Sequence, residues 1–244
     1  MRKLGMVAVA IAAAMATGCS STMNSLNNAS TDKQKSIELY RVFDIKTGAD
    51  RHMVVEAASD GLGHNVQSAN EKNPIVMGEK PEKPGRFKPA NMAGSMGSQM
   101  GGMMQLAMQM NSSFANMLKT AECDGAVWTA TAQKDVDNAF SMSFNLCLWE
   151  YQGGYALDVY ANYTKQEGGG FLGLDGLARK AAYAISGTPE AWAEKTVLDV
   201  VREIKKRAGG DVKYLEGYPK LETTPWQDSG EVFNDQGYLA AVAP

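Results

Sequence analysis

The stretch "CDGAVWTATAQKDVDNAFSMSFNLCLWEY", residues 123–151, determines the fold that we predict for this chain of 244 residues. It holds two runs in which apolar and polar residues alternate, and polar residues around 134–138 separate them. Alternation with a period of two is typical of β-strands that bury one face. Two such runs joined by a short polar link predict an antiparallel hairpin.

The register of this hairpin is suggested by its cysteines. A turn centred on Asp135 places Cys123 opposite Cys147 and aligns Trp128 with Met142 on one apolar face. Closing a loop of about 25 residues with a disulfide stabilises a fold by roughly 3 kcal/mol. The sequence therefore predicts a disulfide between Cys123 and Cys147. We expect it to be structural, because the CxxC spacing of redox-active pairs is absent.

A third strand is predicted in "YQGGYALDVYANYTK", residues 151–165. A two-residue turn at Gly153 and Gly154 suits the positive φ values that such turns require, and it pairs Leu148 with Val159. The apolar face of the hairpin then continues across a meander of three strands. This face needs a cover.

Two helices predicted after the meander, at residues 174–187 and 188–208, can provide that cover, and a separate strand-helix unit is predicted before the meander. Residues 36–63 predict a strand followed by a helix, because the apolar spacing changes from two to three or four. Residues 174–187 and 188–208 carry apolar stripes of helical spacing. The second stretch also has helix ends, with Thr188 as N-cap and Gly209 after a basic last turn. We predict an α+β fold in which helices cover one face of an antiparallel meander.

Composition divides the chain further. Residues 1–18 are predicted to be a signal peptide, and residues 19–35, small and polar, a flexible tether. A single α+β domain spans residues 36–217, interrupted at 79–119 by an insertion rich in proline, glycine and methionine. Residues 218–244 show no strong periodicity and are predicted to form a loosely ordered tail.

The first 22 residues, "MRKLGMVAVAIAAAMATGCSST", indicate where in the cell the protein is located. Two basic residues precede an apolar run too short to span a bilayer stably, and small residues lead to Cys19. This arrangement resembles the lipobox of bacterial lipoproteins. The resemblance implies cleavage before Cys19, acylation of that cysteine and a membrane anchor. Ser20 at the next position, where aspartate would favour the inner membrane, implies the outer membrane. The domain is then expected in the oxidising periplasm.

Charge and motif content argue against several functions. A net charge of −3 gives no broad attraction to nucleic acid. The sequence has no P-loop, GxSxG, HExxH or dinucleotide-binding motif. His52 and His64 are predicted to be surface residues, although His52 and Glu56 lie one turn apart if their segment is helical. Asp135 and Asp137 are predicted to be solvated loop carboxylates. We therefore predict a protein that is not an enzyme.

The methionine-rich segment, "ANMAGSMGSQMGGMMQLAMQMNSSFANMLK" at residues 90–119, has no charged residue before Lys119. Its apolar residues step by three and four, as on one face of a helix. Methionine adapts to irregular surfaces, so this seam can pack on the domain itself or bind a partner. The partner would be another protein, a second copy of the chain or the membrane surface. The residues assigned to partner binding are Met96, Met100, Met103, Met110, Phe114 and Met117.

Soft-metal binding is an alternative role for the same segment. Thioethers select Cu(I), and the ligands would be Met96, Met100, Met103 and Met104. Glycines in the first half of the segment cost about 1 kcal/mol each relative to alanine in a helix, which favours ordering on binding. We predict a non-catalytic, lipid-anchored envelope protein that acts as a binding or assembly component without a cofactor. A periplasmic lipoprotein that binds copper or silver is the alternative.

Overall fold

The structure is a computed structural model that describes residues 33–91, 106, 118–136, 140–167 and 188–219. It has a mixed α+β fold, in which an antiparallel sheet of six strands is combined with two helices and a two-stranded ribbon. The strands are β1 (Lys33–Lys46), β2 (Ala69–Lys72), β3 (Lys88–Asn91), β4 (Lys119–Glu122), β5 (Trp128–Val136), β6 (Phe140–Tyr151), β7 (Gly154–Glu167) and β8 (Asp211–Tyr218). The helices are α1 (Arg51–Gly63) and α2 (Pro189–Ala208). The order in the sheet is β2-β5-β6-β7-β1-β8, and β3 pairs with β4 in the ribbon.

The predicted meander is present as β5, β6 and β7 at the centre of the sheet. Its register differs from the prediction, because Trp128 lies opposite Leu148, six residues further along β6 than Met142. The strand β5 continues to Val136, so the turn comes later than Asp135. Since the shift is an even number of residues, each side chain keeps its predicted face.

The turn between β6 and β7 is also displaced from its predicted position. It precedes Gly154, which already belongs to β7, so Leu148 pairs with Leu157 rather than Val159. Gly154 has a φ of 130°, and a Cβ there would lie 2.2 Å from the carbonyl oxygen of Ile45 in β1. Glycine is therefore needed at this position both for its backbone conformation and for the close approach of β1.

The predicted N-terminal strand and helix are confirmed as β1 and α1. The strand β1 begins at Lys33, inside the range that composition predicts as tether, and it lies between β7 and β8. Within α1, Met53 is exposed, whereas Val54 and Leu62 are buried. The strand β8 is absent from the predicted elements. It is an edge strand with an irregular register against β1, so its polar and apolar residues do not alternate simply.

The inner face of the sheet, defined as the face that α1 and α2 cover, carries the main hydrophobic core. The hydroxyl of Thr188 accepts a hydrogen bond from the backbone N–H of Ala191 at 3.2 Å, which confirms the predicted N-cap of α2. The indole of Trp192 packs edge-on against Phe144, with ring centroids 5.3 Å apart. The predicted apolar stripe of α2 is buried except for its last residue, Ala208, which is partly buried. The buried residues of the stripe are Ala193, Val197, Val200, Val201 and Ile204.

A charged pair lies within the same core. Arg41 of β1 is 2% exposed, and its guanidinium donates two hydrogen bonds to the carboxylate of Glu194 in α2. The guanidinium also donates to the carbonyl oxygen of Pro219 at 2.7 Å. Removing one partner of a buried pair costs about 3 to 5 kcal/mol, whereas replacing both by apolar residues is often neutral. The pair therefore fixes the position of α2 on β1 more than it adds stability.

Several predicted elements lie outside the described residues. These are the signal peptide at 1–18, the tether up to residue 32, the helix at 174–187 and the tail from residue 220 onward. In the part of the chain that the structure describes, no helix combines the length and the apolar composition needed to cross a membrane.

Gly61→Ala should destabilise the protein through the contact between the two helices. A Cβ at Gly61 would lie 2.6 Å from the Cα of Val200 and 2.7 Å from the carbonyl oxygen of Asp199, so α1 and α2 would have to separate. We expect a loss of about 1 to 3 kcal/mol in the free energy of unfolding, measured by urea denaturation. Gly63→Ala is the matched control. No atom of the described residues lies within 4 Å of a Cβ at that position, so alanine should maintain or increase stability. Equal effects of the two changes would contradict this packing.

Candidate binding face

The outer face of the sheet, defined as the face opposite α1 and α2, is also covered by the chain. The sequence predicts a cover on one face only, and the structure corrects this: the ribbon lies across the outer face, with β4 in contact with β6 and β7. Polar side chains are buried beneath this cover and require hydrogen-bond partners there. The main buried residues of the outer face are Asn145, Cys147, Trp149, Asp158, Tyr160 and Asn162.

A disulfide joins Cys123 to Cys147, as predicted, with Cα atoms 5.6 Å apart. Its structural context differs from the prediction. Cys123 directly follows β4 rather than lying in β5, so the bond connects the ribbon to β6 instead of two paired positions of one hairpin. Beside it, the indole N–H of Trp149 donates to the carbonyl oxygen of Asp124 at 2.9 Å. Together these contacts hold the end of β4 on the sheet.

The start of β4 is held by β1, β6 and β7. Lys119 forms an ion pair with Glu38 of β1, and its backbone carbonyl accepts a hydrogen bond from the side-chain amide of Asn162 at 2.8 Å. The hydroxyl of Thr120 donates to Oδ1 of Asn145 at 2.8 Å. The ribbon is therefore attached to the sheet at both ends, by covalent, ionic and hydrogen bonds.

Asp158 of β7 anchors the loop that leads into β3. Its side chain is fully buried, and Oδ2 accepts a hydrogen bond from the backbone N–H of Phe87 at 3.1 Å and lies 3.1 Å from Nε of Arg86. Oδ1 has no hydrogen-bond partner among the described residues. Burial raises the pKa of Asp158 to about 6, although the Phe87 N–H and the charge of Arg86 act to lower it. The carboxylate thus holds the loop at an electrostatic cost.

An aromatic cleft of about 620 Å³ opens beside the ribbon, above β1 and next to β8. The ring of Phe87 lies between those of Tyr40 and Tyr160, with centroids 5.8 and 5.6 Å away, and Tyr218 at the margin is 59% exposed. Burial raises the pKa of Tyr160, and the charge of Glu38 raises it further, so the phenol stays protonated at neutral pH. Apolar ring surface with a few polar groups is typical of binding sites.

The methionine-rich segment begins and ends in the ribbon. Asn91 at the end of β3 pairs with Lys119 at the start of β4, so the chain leaves and re-enters the domain at adjacent points. Both points lie next to the aromatic cleft, which Pro89 and Lys119 help to line. This end of the ribbon points toward the start of β1, because Lys119 contacts Glu38, which is five residues after Lys33.

The residues assigned to partner or metal binding lie outside the described residues, so their roles stay predictions. Leu106, which the structure describes within this segment, is 60% exposed. The residues concerned are Met96, Met100, Met103, Met104, Met110, Phe114 and Met117.

His52, His64 and Asp135, also considered in the sequence, do not line the aromatic cleft. Nδ1 of His52 is 3.8 Å from the carboxylate of Glu56 on α1, and both side chains are exposed. His64 is exposed at the end of α1, Asp135 is exposed on β5, and Asp137 lies outside the described residues. Within the described ranges, no group of three His, Cys, Asp or Glu side chains is placed to hold a metal ion.

Glu150 belongs to a second buried charged cluster, near the turn between β6 and β7. Arg51 and Lys80 both form ion pairs with it, and the hydroxyl of Tyr155 donates to it at 3.3 Å. Burial opposes ionisation, but the hydrogen bonds from Lys80 and Arg51 outweigh it and lower the pKa of Glu150. Since structural partners occupy its carboxylate, Glu150 fixes the loop at Lys80 and does not resemble a free general base.

Asp158, Asn145 and the rings of the cleft are not among the residues that the sequence pattern indicates. A signal was present in β7, where Asp158, Tyr160 and Asn162 share the face expected to be solvated. Tyrosine beside polar residues on such a face is compatible with solvent exposure, so the pattern alone could not show that a ribbon covers it.

Asp158→Asn should stabilise the protein more at neutral pH than at acid pH. The pKa of Asp158 is about 6 in the folded state and about 3.9 in an unfolded chain. The folded state therefore binds more protons between these values, and stability present below about pH 4 is lost as pH rises through about 6. Asparagine does not titrate. The stability gained by the variant should thus grow by roughly 2 to 3 kcal/mol from about pH 4 to about pH 7.5, measured by urea denaturation.

Asp135→Asn, at an exposed position of β5, controls for the loss of one negative charge. A difference between Asp158→Asn and the wild type that is the same at both pH values would contradict the buried-carboxylate account.

Comparison with known proteins gives no family assignment. No protein-family model matches the chain, and no curated protein matches it in sequence.

Proposed function

We propose that this protein is a non-catalytic, lipid-anchored component of the bacterial envelope that binds a partner through its methionine-rich segment. The anchor is acylated Cys19, and the location is the outer membrane with the domain facing the periplasm. The partner is another protein or a second copy of the chain. The observation that supports this proposal most directly is that both ends of the segment are fixed on the covered outer face.

The way in which the ribbon is attached suggests that the domain displays the methionine-rich segment to a partner. It argues against a segment that merely connects β3 to β4. A loop that only joined two strands would not need the Cys123–Cys147 disulfide, the Lys119–Glu38 ion pair and the Asn162 hydrogen bond at its base. Holding a binding element on a rigid support lowers the entropy lost on association. The aromatic cleft lies at the same place and extends the surface that a partner could contact.

The position of the tether is consistent with action close to the membrane. The 13 residues between Cys19 and Lys33 are small and polar, and a flexible chain of this length has an end-to-end distance of about 20 Å. The start of β1 and the open end of the ribbon point the same way. A domain anchored through Cys19 would therefore carry the segment on the side nearer to the membrane.

Replacing residues 92–117 by a short glycine-rich turn should abolish partner binding while the domain stays folded. The replacement retains the Asn91–Lys119 pairing and the buried Leu118, so the ribbon can close as a hairpin. We expect a stoichiometric partner to co-purify with the wild type in mild detergent and to be lost from the variant. Self-association would appear as a change in mass by light scattering. A partner that stays bound to the variant would contradict the proposal.

The wild type and the variant without residues 92–117 also distinguish partner binding from soft-metal binding. A segment of scrambled sequence, with unchanged composition, is the matched control, since it keeps every thioether but destroys the seam. Loss of partner binding in the scrambled protein supports a shaped contact surface. Cu(I) affinity that falls only when residues 92–117 are removed, without any partner in the wild type, would favour metal binding instead.

Cys19→Ser should release the protein from the membrane. One acyl chain gives marginal membrane affinity and several chains give firm anchoring, so loss of the acylated residue should shift the protein to the soluble envelope fraction. Fractionation followed by immunoblotting measures this shift. Ser20→Ala is the control because it leaves the cysteine intact. Continued membrane association of the Cys19→Ser protein would contradict the lipid anchor.

A further inference from the structure

A second groove lies on the outer face, on the other side of β4 from the aromatic cleft. Its volume is about 330 Å³, at the lower end of the range for small-molecule sites. The floor is formed by β5 and β6, one wall by β4 and the other by β2. Most of its side chains are polar, and those used below are Asn70, Lys72, Thr120, Glu122, Thr131 and Asn145.

Asn145 distinguishes this groove from ordinary polar surface. Its side chain is 3% exposed, and Oδ1 accepts the hydrogen bond from Thr120. Nδ2 is buried without a hydrogen-bond partner among the described residues. Leaving a buried donor unpaired costs about 1 to 3 kcal/mol, so such groups are rare and often occur at functional sites. Asn162, the buried amide of the neighbouring strand, has its donor satisfied by Lys119.

The chemistry of the walls limits the ligand. Glu122 would repel an anion, and Lys72 would oppose a simple cation. No aromatic ring from the described residues lines the groove, so it offers no surface on which a planar base could stack.

We propose that this groove binds an uncharged, hydroxyl-rich ligand of the saccharide class. Each sugar hydroxyl can accept a hydrogen bond and donate one at the same time. A ligand hydroxyl above Asn145 would accept from Nδ2 and donate to the carboxylate of Glu122 or to a threonine hydroxyl of the floor. The amide of Asn70 and the ammonium of Lys72 provide donors on the opposite wall. This site depends neither on the lipid anchor nor on the methionine-rich segment.

The test uses the full-length protein and two neutral disaccharides, maltose and N,N′-diacetylchitobiose, with inorganic phosphate and choline as charged comparison ligands. Saturation-transfer NMR detects weak binding, and calorimetric titration then measures affinity. We expect at least one disaccharide to bind and neither charged ligand to do so. Absence of binding by both disaccharides, or binding of only phosphate or choline, would overturn the proposal.

Two substitutions locate the binding in the groove. Asn145→Leu and Glu122→Gln should each weaken saccharide binding about tenfold or more, since the first removes a donor to the ligand and the second replaces a charge-assisted hydrogen bond with a weaker neutral one. Glu56→Gln, the same change at an exposed residue of α1, should leave the affinity unchanged. Asn145→Leu removes the unpaired donor but also the acceptor of the Thr120 hydroxyl, so its melting temperature is measured to show that the domain stays folded. Saccharide binding that is equally strong in Asn145→Leu and Glu122→Gln would also overturn the proposal.

Discussion

The structure depends on one constraint, which is that the central strand β7 is buried on both faces. Its inner side chains, such as Leu157 and Val159, can be buried by hydrophobic packing against the helices. Its outer side chains include Asp158 and Asn162, which are buried and polar. Burying these groups without partners would cost several kcal/mol, so the outer layer has to be polar and specific. The ribbon and the loop before it meet this requirement with backbone and charged partners.

This constraint explains why the two layers differ in kind. The inner layer consists of two helices that pack through apolar side chains, and the pair Arg41–Glu194 fixes the position of α2 on β1. The outer layer is thin and has little apolar surface of its own, so it is held by discrete bonds. The Cys123–Cys147 disulfide serves this second layer. A short ribbon would not persist on a sheet by hydrophobic burial alone, because small elements bury too little surface.

The parts of the fold that are governed by periodicity could be predicted from the sequence. Alternation and capping depend on neighbouring residues, so they indicated the faces of β5, β6 and β7 and the ends of α2. The small number of cysteines limits the possible pairings, which made the bond between Cys123 and Cys147 predictable. The registers were not, since Asp135 and Gly153 mark polar turns without fixing which residue begins the next strand. The ribbon could not be predicted either. β3 and β4 have four residues each, are separated by a long segment, and contain no alternation strong enough to indicate a strand.

The methionine-rich segment leaves and re-enters the ribbon at the paired residues Asn91 and Lys119, so its length can change without disturbing the sheet. The entropy cost of a loop grows only with the logarithm of its length, about 0.6 kcal/mol for each doubling. Because Asn91 and Lys119 are already paired, insertions or deletions between them leave the geometry of the sheet untouched. The sequence inserted between Asn91 and Lys119 can therefore be exchanged, lengthened or shortened, because the fold of the domain depends on the remainder of the chain.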